Sequence, residues 1–249
     1  MKHRLLFLAT AERLTCALAL ALAAGAAHAQ WTYGMAQADM LTSSWYNNQM
    51  WKQATKVDCW PPGHCHAVGS APQNQAPSGA SVASLYTGAD FATTAGIDRL
   101  AASFPTQNQQ QIAQVFKTLI VSFNQTVPRT YGIPVNNLAT AFTAVLAGSY
   151  AAYTNQPFPE NAVKPLYQQL EQVMLSNSSL SQGSMEEKNT MYQMWVGLGT
   201  YMLGWQSELA KHPNAQQQAQ MQKAGANILR SLNIDPDRVS FTDRGMQMR

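Results

Sequence analysis

Four residues of metal-ligating type, Cys59, His64, Cys65 and His66, fall within eight positions of this 249-residue sequence. Thiolates and imidazoles in such a group are the donors that hold zinc or copper. The spacing C-x4-H-C-H, however, departs from the usual finger patterns, and consecutive ligands at 64, 65 and 66 point different ways on any regular element. Cys65-His66 matches the end of a c-type haem attachment, but that motif needs two residues between its cysteines and here there are five. The simpler chemistry is a Cys59–Cys65 disulfide, with the Cys59, His64, Cys65, His66 metal set as the weaker alternative. Trp60-Pro61-Pro62-Gly63-His64 is turn-rich and can bring the two Cα atoms into the ~4.4–6.8 Å range of a bridge. So short a loop gains little chain entropy, so the bridge would pin a local turn. No cofactor is expected.

Acid–base candidates are sparse. A glycosidase acting on cell wall needs two carboxylates facing one cleft. The closest pairs in sequence are Glu186 with Glu187, at a predicted helix start where acids favour the helix dipole, and Asp235 with Asp237, flanking Pro236 in a turn. There is no G-x-S-x-G, P-loop or H-E-x-x-H. Beyond the leader described next, the histidines are His64, His66 and His212, the last directly before Pro213 at a predicted helix end. No catalytic residue is assigned.

Residues 1–29 read as a secretory signal peptide. Lys2, His3, Arg4 and Arg13 form a basic start, Cys16 to Ala27 an apolar run, and Ala27-His28-Ala29 a small-x-small cleavage pattern before Gln30. The apolar run falls short of the ~20 residues a spanning helix needs. Cleavage would remove Cys16, leaving an even pair of cysteines for an oxidising compartment, the periplasm or the medium. No transmembrane segment is expected afterwards. The whole chain has 16 Lys and Arg against 13 Asp and Glu. The leader holds three of those bases and one of the acids, so the remainder has 13 and 12 and a net charge of +1. That balance excludes a strongly basic nucleic-acid binder.

The elements that must position any site are helical. Gln30 to Lys56 is rich in Trp, Tyr and Met, with a helix expected over 37–56. Residues 57–105 carry scattered Pro, Gly and Ser and read as a linker containing the cysteine turn, with one short helix over 91–102. From 106 to 233 the pattern is consistently helical. Ile112, Val115, Phe116, Leu119 and Phe123 mark one face of a helix that Pro128 and Gly132 end. Pro134 sits where a helix start tolerates proline, and Leu138, Phe142 and Val145 give the next stripe. Val163, Leu166, Leu170 and Val173 mark a third. Ser184-Met-Glu-Glu187 matches a capping box and opens the longest helix, whose Met191, Trp195, Leu198, Met202, Trp205 and Leu209 recur at alternating steps of four and three. Gly197, Gly199 and Gly204 inside it imply close helix packing, or a ligand pocket made by the missing side chains. A last helix covers 215–232, and 234–249 reads as a tail. No strand pattern is long enough to argue for a sheet. The expectation is all-α: a bundle of about five helices behind a loop-rich N-terminal third.

The order of parts in the C-terminal region carries a resemblance. Tyr131-Gly-Ile-Pro134, then Asn136-Asn-Leu-Ala139 opening an Ala-rich helix, then two further helices, Asn233-Ile-Asp-Pro-Asp237, Phe241-Thr242 and Gly245 follow one another. Over residues 106–246 this resembles a family of uncharacterised, exported, helical proteobacterial proteins defined only as a domain of unknown function. The resemblance implies an all-α fold and export, and brings no activity, ligand or catalytic residue.

Two functions from different classes remain. The first is a non-catalytic exported protein that binds another macromolecule, such as an envelope protein. Its candidate binding residues are Trp31, Tyr33, Trp45, Tyr46 and Trp51, rings that must fold back onto the bundle or dock on a partner. The alternative is a cell-wall-directed hydrolase using paired carboxylates.

Overall fold

Six α-helices carry most of the described chain: α1 Ala95–Ala102, α2 Gln109–Tyr131, α3 Leu138–Thr154, α4 Glu160–Ser176, α5 Met185–Lys211 and α6 Ala215–Ser231. The computed structural model describes residues 57–58, 66–67, 81–104, 106–176 and 183–248. The fold is all-α in class, as the periodicity predicts. Every residue of the expected seam from Trp195 to Leu209 is buried, together with Phe116, Leu119, Phe142, Val145, Leu170 and Ile228.

The centre of the bundle is α3. All of its residues from Leu138 to Ala152 are buried except Tyr150, the behaviour of a helix that is apolar on every side. It packs on α5, α6 and α4. Its Ala and Gly content allows backbone to meet backbone: a Cβ at Gly199 would lie 2.2 Å from the Ala144 carbonyl oxygen, and one at Gly148 2.3 Å from that of Gly199. Packing of this kind leaves no room for a side chain, so the helix-weakening glycines sit where the helices cross.

Helix ends depart from the sequence expectation in two places. Helix α2 continues through Pro128 to Tyr131 and ends at Gly132, which is left-handed (φ 63°) and donates its N–H to the Pro128 carbonyl at 3.1 Å. Proline within the last turns removes one backbone donor but does not stop a helix already held by packing. Pro134 lies in the connection rather than at a helix start. Asn137 caps α3 instead, its side chain accepting from the Ala139 N–H at 2.8 Å. The capping box at α5 forms as predicted: Ser184 Oγ accepts from the Glu187 N–H and Glu187 accepts from the Ser184 N–H.

Two segments read as linker and tail belong to the core. Residues 81–104 are strapped to α5 by three buried side chains. Lys188 Nζ donates to the Ser84 carbonyl at 2.9 Å, and Asn189 Nδ2 to the carbonyls of Thr87 and Ala89, each at 3.0 Å. Gln193 Oε1 accepts from the N–H groups of Gly96 and Ile97, capping α1 from a distant helix. Residues 234–248 are not a tail: β3 Val239–Thr242 and β4 Gly245–Met248 form an antiparallel hairpin with Val239 opposite Met248 and Thr242 opposite Gly245. It packs on α4, where Gln169 acts as a surrogate strand, accepting from the Met246 N–H at 2.8 Å and donating to its carbonyl at 3.3 Å. Gly245 (φ 83°) is required there, because a Cβ would also lie 2.6 Å from Gln169 Oε1. The four-residue strands are too short to register as an alternating pattern.

A further two-residue pairing, β1 Val57–Asp58 with β2 His66–Ala67, is antiparallel, with Val57 opposite Ala67 and Asp58 opposite His66. Among the described residues no helix is long and apolar enough to cross a membrane.

Candidate functional site

Helix α2 packs on α1 and α5, while α3 packs on α4, α5 and α6. The C-terminal half of α2 therefore stands off from α3, and an open cleft of about 340 Å³ runs between them. Leu119, Phe123 and Val127 of α2 form one wall, and Ala144 and Ala147 of α3 the floor. Leu203, Gly204 and Gln206 of α5 close one side, and Pro157, Phe158 and Val163 around the start of α4 the other. Gly204, one of the three glycines of the long helix, thus lies on the cleft. Gly197 and Gly199 instead meet neighbouring helices, the first against Leu100 and Phe116 and the second against Ala144.

The hairpin fixes one of these walls. Phe241 of β3 meets Phe158 at a tilt, 5.1 Å between ring centroids, and Tyr150 edge-on at 4.8 Å, and Tyr150 meets Phe158 edge-on at 6.2 Å. Phe158 is held from behind by two rings and presents its free side to the cleft. Such a wall is preformed rather than assembled on binding.

The cleft is more apolar than its residue types suggest. Thr140 Oγ1 donates to the Pro134 carbonyl at 2.6 Å, Thr143 Oγ1 to Ala139 at 2.8 Å and Thr200 Oγ1 to Val196 at 2.6 Å. Each hydroxyl is used by the local backbone. Gln206 is a further polar side chain on this wall, 4% exposed as a whole residue. Its amide can offer both donors and an acceptor to an occupant.

Among the described residues Glu160 is the one carboxylate on the cleft wall. It is exposed, at the first position of α4, where the helix dipole favours an anion. Beside it Tyr131 has its phenol pushed up to about 12, by burial first and by the Glu160 charge second. The Tyr131 phenol therefore stays neutral across the physiological range.

Other carboxylates have structural employment. Glu187 serves the capping box, and its hydrogen bonds from Ser184 hold its carboxyl below the usual range. Asp237 accepts from the Tyr153 hydroxyl, which that bond pushes up, and Asp235 Oδ1 accepts from the Asp237 N–H at 3.0 Å. Glu171 accepts from the Tyr167 hydroxyl. Glu208 lies 3.4 Å from His212. The sequence neighbours Glu186–Glu187 and Asp235–Asp237 are thus not brought to a common cleft.

Cys59, His64 and Cys65 lie outside the described residues, as do Trp31, Tyr33, Trp45, Tyr46 and Trp51. His66 enters only through its strand pairing with Asp58. Among the described residues no group of three His, Cys, Asp or Glu side chains could hold a metal ion. What sequence reasoning missed is the cleft itself and Gln206.

A family model matches residues 9–249. The chain belongs to DUF6683, a family of unknown function. The match extends beyond the 106–246 region in which the resemblance was legible, and takes in the aromatic segment and the cysteine turn along with the helices. No curated protein and no solved structure matches the chain.

Proposed function

We propose that this DUF6683 protein is a non-catalytic, exported binding protein, acting in the periplasm or outside the cell, and that the cleft between α2, α3, α4 and α5 holds an apolar group of what it binds. One observation carries the reading: a largely apolar cleft of about 340 Å³ whose wall carries the amide of Gln206. Its volume falls in the range of small-molecule sites, ~300–1,000 Å³. This shifts the expected partner from a macromolecule docked on the N-terminal rings toward a small ligand, or a macromolecule that inserts one apolar chain. The hydrolase alternative has less support, since a paired-carboxylate mechanism needs a second acid in the cleft beside Glu160.

The experiment is native mass spectrometry on protein isolated from its host envelope, with Gly204→Phe as the filled-cleft control. An apolar adduct on the native protein, absent from the variant, is the expected result. An adduct equally present on both, or release of soluble fragments from purified peptidoglycan, would overturn the reading.

The Cys59–Cys65 disulfide belongs to the same proposal. Support comes from the antiparallel register of Val57 with Ala67 and Asp58 with His66, because one further step in that register is 59 with 65. Alkylation of exported protein without reductant should label neither cysteine; two labelled thiols or a bound metal would contradict it.

A further inference from the structure

Resting on the binding reading above, we infer that the cleft takes a neutral single-chain amphiphile, its apolar chain between α2 and α3 and its uncharged polar group on Gln206. The argument is one of charge and hydrogen-bond complementarity. Among the described residues no Lys, Arg or His lies on the cleft wall, and the one charged residue there is Glu160. A carboxylate or phosphate head drawn into this cleft would lose its hydration, meet no counter-charge and face the Glu160 anion. A fatty acid in its ionised form is therefore the wrong ligand.

The polar contact that the cleft does offer is an amide. Gln206 supplies two N–H donors and a carbonyl on this wall, at a residue 4% exposed. An amide pairs best with groups that both give and accept, such as a hydroxyl, a glycerol ester or another amide. Thr140, Thr143 and Thr200 cannot compete for this role, because their hydroxyls already serve backbone carbonyls. The hydroxyls of Ser122, Thr126, Tyr131 and Ser207 share the wall with it, so the anchoring groups are uncharged ones on a largely apolar surface. That pattern selects a monoacylglycerol, fatty alcohol or fatty amide over an ionised fatty acid.

The test uses the full chain and the fluorescence of N-phenyl-1-naphthylamine, a neutral apolar probe. Enhancement on binding should be abolished by Gly204→Phe, and by Thr126→Trp at the half-buried edge of the cleft should the first variant fail to fold. Probe binding that is absent from the native protein, or survives in both variants, overturns the binding reading itself. Given binding, monolaurin should displace the probe at a concentration about tenfold below laurate at alkaline pH, a tenfold ratio being ~1.4 kcal/mol. Gln206→Leu should erase most of that preference while leaving probe affinity within about twofold, because only the polar anchor is lost. Equal or better displacement by laurate, or a monolaurin preference intact in Gln206→Leu, overturns the neutral-amphiphile inference alone.

Discussion

Replacing Gly199 by alanine should destabilise this protein although alanine is the better helix former. In an exposed helix the change stabilises by ~1 kcal/mol. Here the new Cβ would stand 2.2 Å from the Ala144 oxygen, 2.4 Å from its carbonyl carbon and 2.7 Å from the Val145 nitrogen. All three are backbone atoms of α3, so no rotamer change relieves the overlap. Ordinary contact begins at 3.4 Å, so α3 and α5 must part by roughly 1 Å, a gap that forfeits a quarter to a half of the dispersion well along the crossing. Overpacking that side chains can absorb costs ~1–3 kcal/mol. Backbone against backbone belongs at or above the upper end, which leaves a net loss of at least ~2 kcal/mol after the propensity gain. Gly197→Ala is the matched control. Its Cβ would meet Leu100 Cδ1 at 2.7 Å and Phe116 Cδ1 at 3.3 Å, both ends of side chains, and should cost no more than ~1 kcal/mol net. Urea denaturation of the three proteins reads the difference, with a melting temperature lower by ~4–8 °C for Gly199→Ala as a second measure. A Gly199→Ala protein as stable as the parent, or less affected than Gly197→Ala, would refute the close-crossing argument.

Trp195→Ala should cost ~3–5 kcal/mol in the same assay, since the ring is buried against Phe142 at 4.9 Å between centroids. Gln193→Leu should leave the α1 start and the Thr93 carbonyl without partners, for a loss of ~2–4 kcal/mol across several bonds, and hydrogen exchange should show Gly96 and Ile97 losing protection before the bundle does. At high pH stability should fall. Tyr131 ionises near 12 when folded against 10.0 ordinarily, and burial raises the phenols of Tyr167, Tyr192 and Tyr201 as well. Above 10 the unfolded chain therefore sheds these protons first and binds fewer than the native state. Stability is full below 10 and declines from there through 12; phenolate absorbance that rises fully by pH 10 without unfolding would contradict this.

The periodic signals carried the bundle because burial and helical spacing are the same fact seen twice. Trp195, Leu198, Met202 and Trp205 recur at the spacing that puts them on one face, and they are buried. The capping box at Ser184 is likewise local chemistry that three residues specify. Two kinds of structure escaped. The strap over 81–104 depends on Lys188, Asn189 and Gln193, polar side chains on a core-facing part of α5 that are buried through backbone partners about a hundred positions away. No periodicity distinguishes them from solvent-facing residues. The hairpin depends on Gln169 and on the Tyr150–Phe158–Phe241 ring cluster, again contacts across the fold. Its sequence, Val239-Ser-Phe-Thr242, alternates for only four residues.

The cleft is a case between these two. On α5, Thr200, Gly204 and Ser207 follow one another at steps of four and three, beside the Trp195–Trp205 seam; on α2, Ser122 and Thr126 are four apart. Each set is a line of small residues along one helix, and the structure turns both toward the same space. Two facing lines of side chains too small to meet leave volume between helices that larger residues would have filled, and close packing elsewhere makes such volume uncommon in a core. Small lines alone do not separate a cleft from a tight crossing, since Gly148 and Gly199 show the opposite outcome, backbone meeting backbone. The difference lies in what stands around them. At the Gly148–Gly199 crossing α3 and α5 close directly on each other, whereas Phe158, braced by Phe241, and Tyr131 at the end of α2 prop the other helices apart. Gln206 on the same wall then gives the propped space a polar group beside its apolar lining.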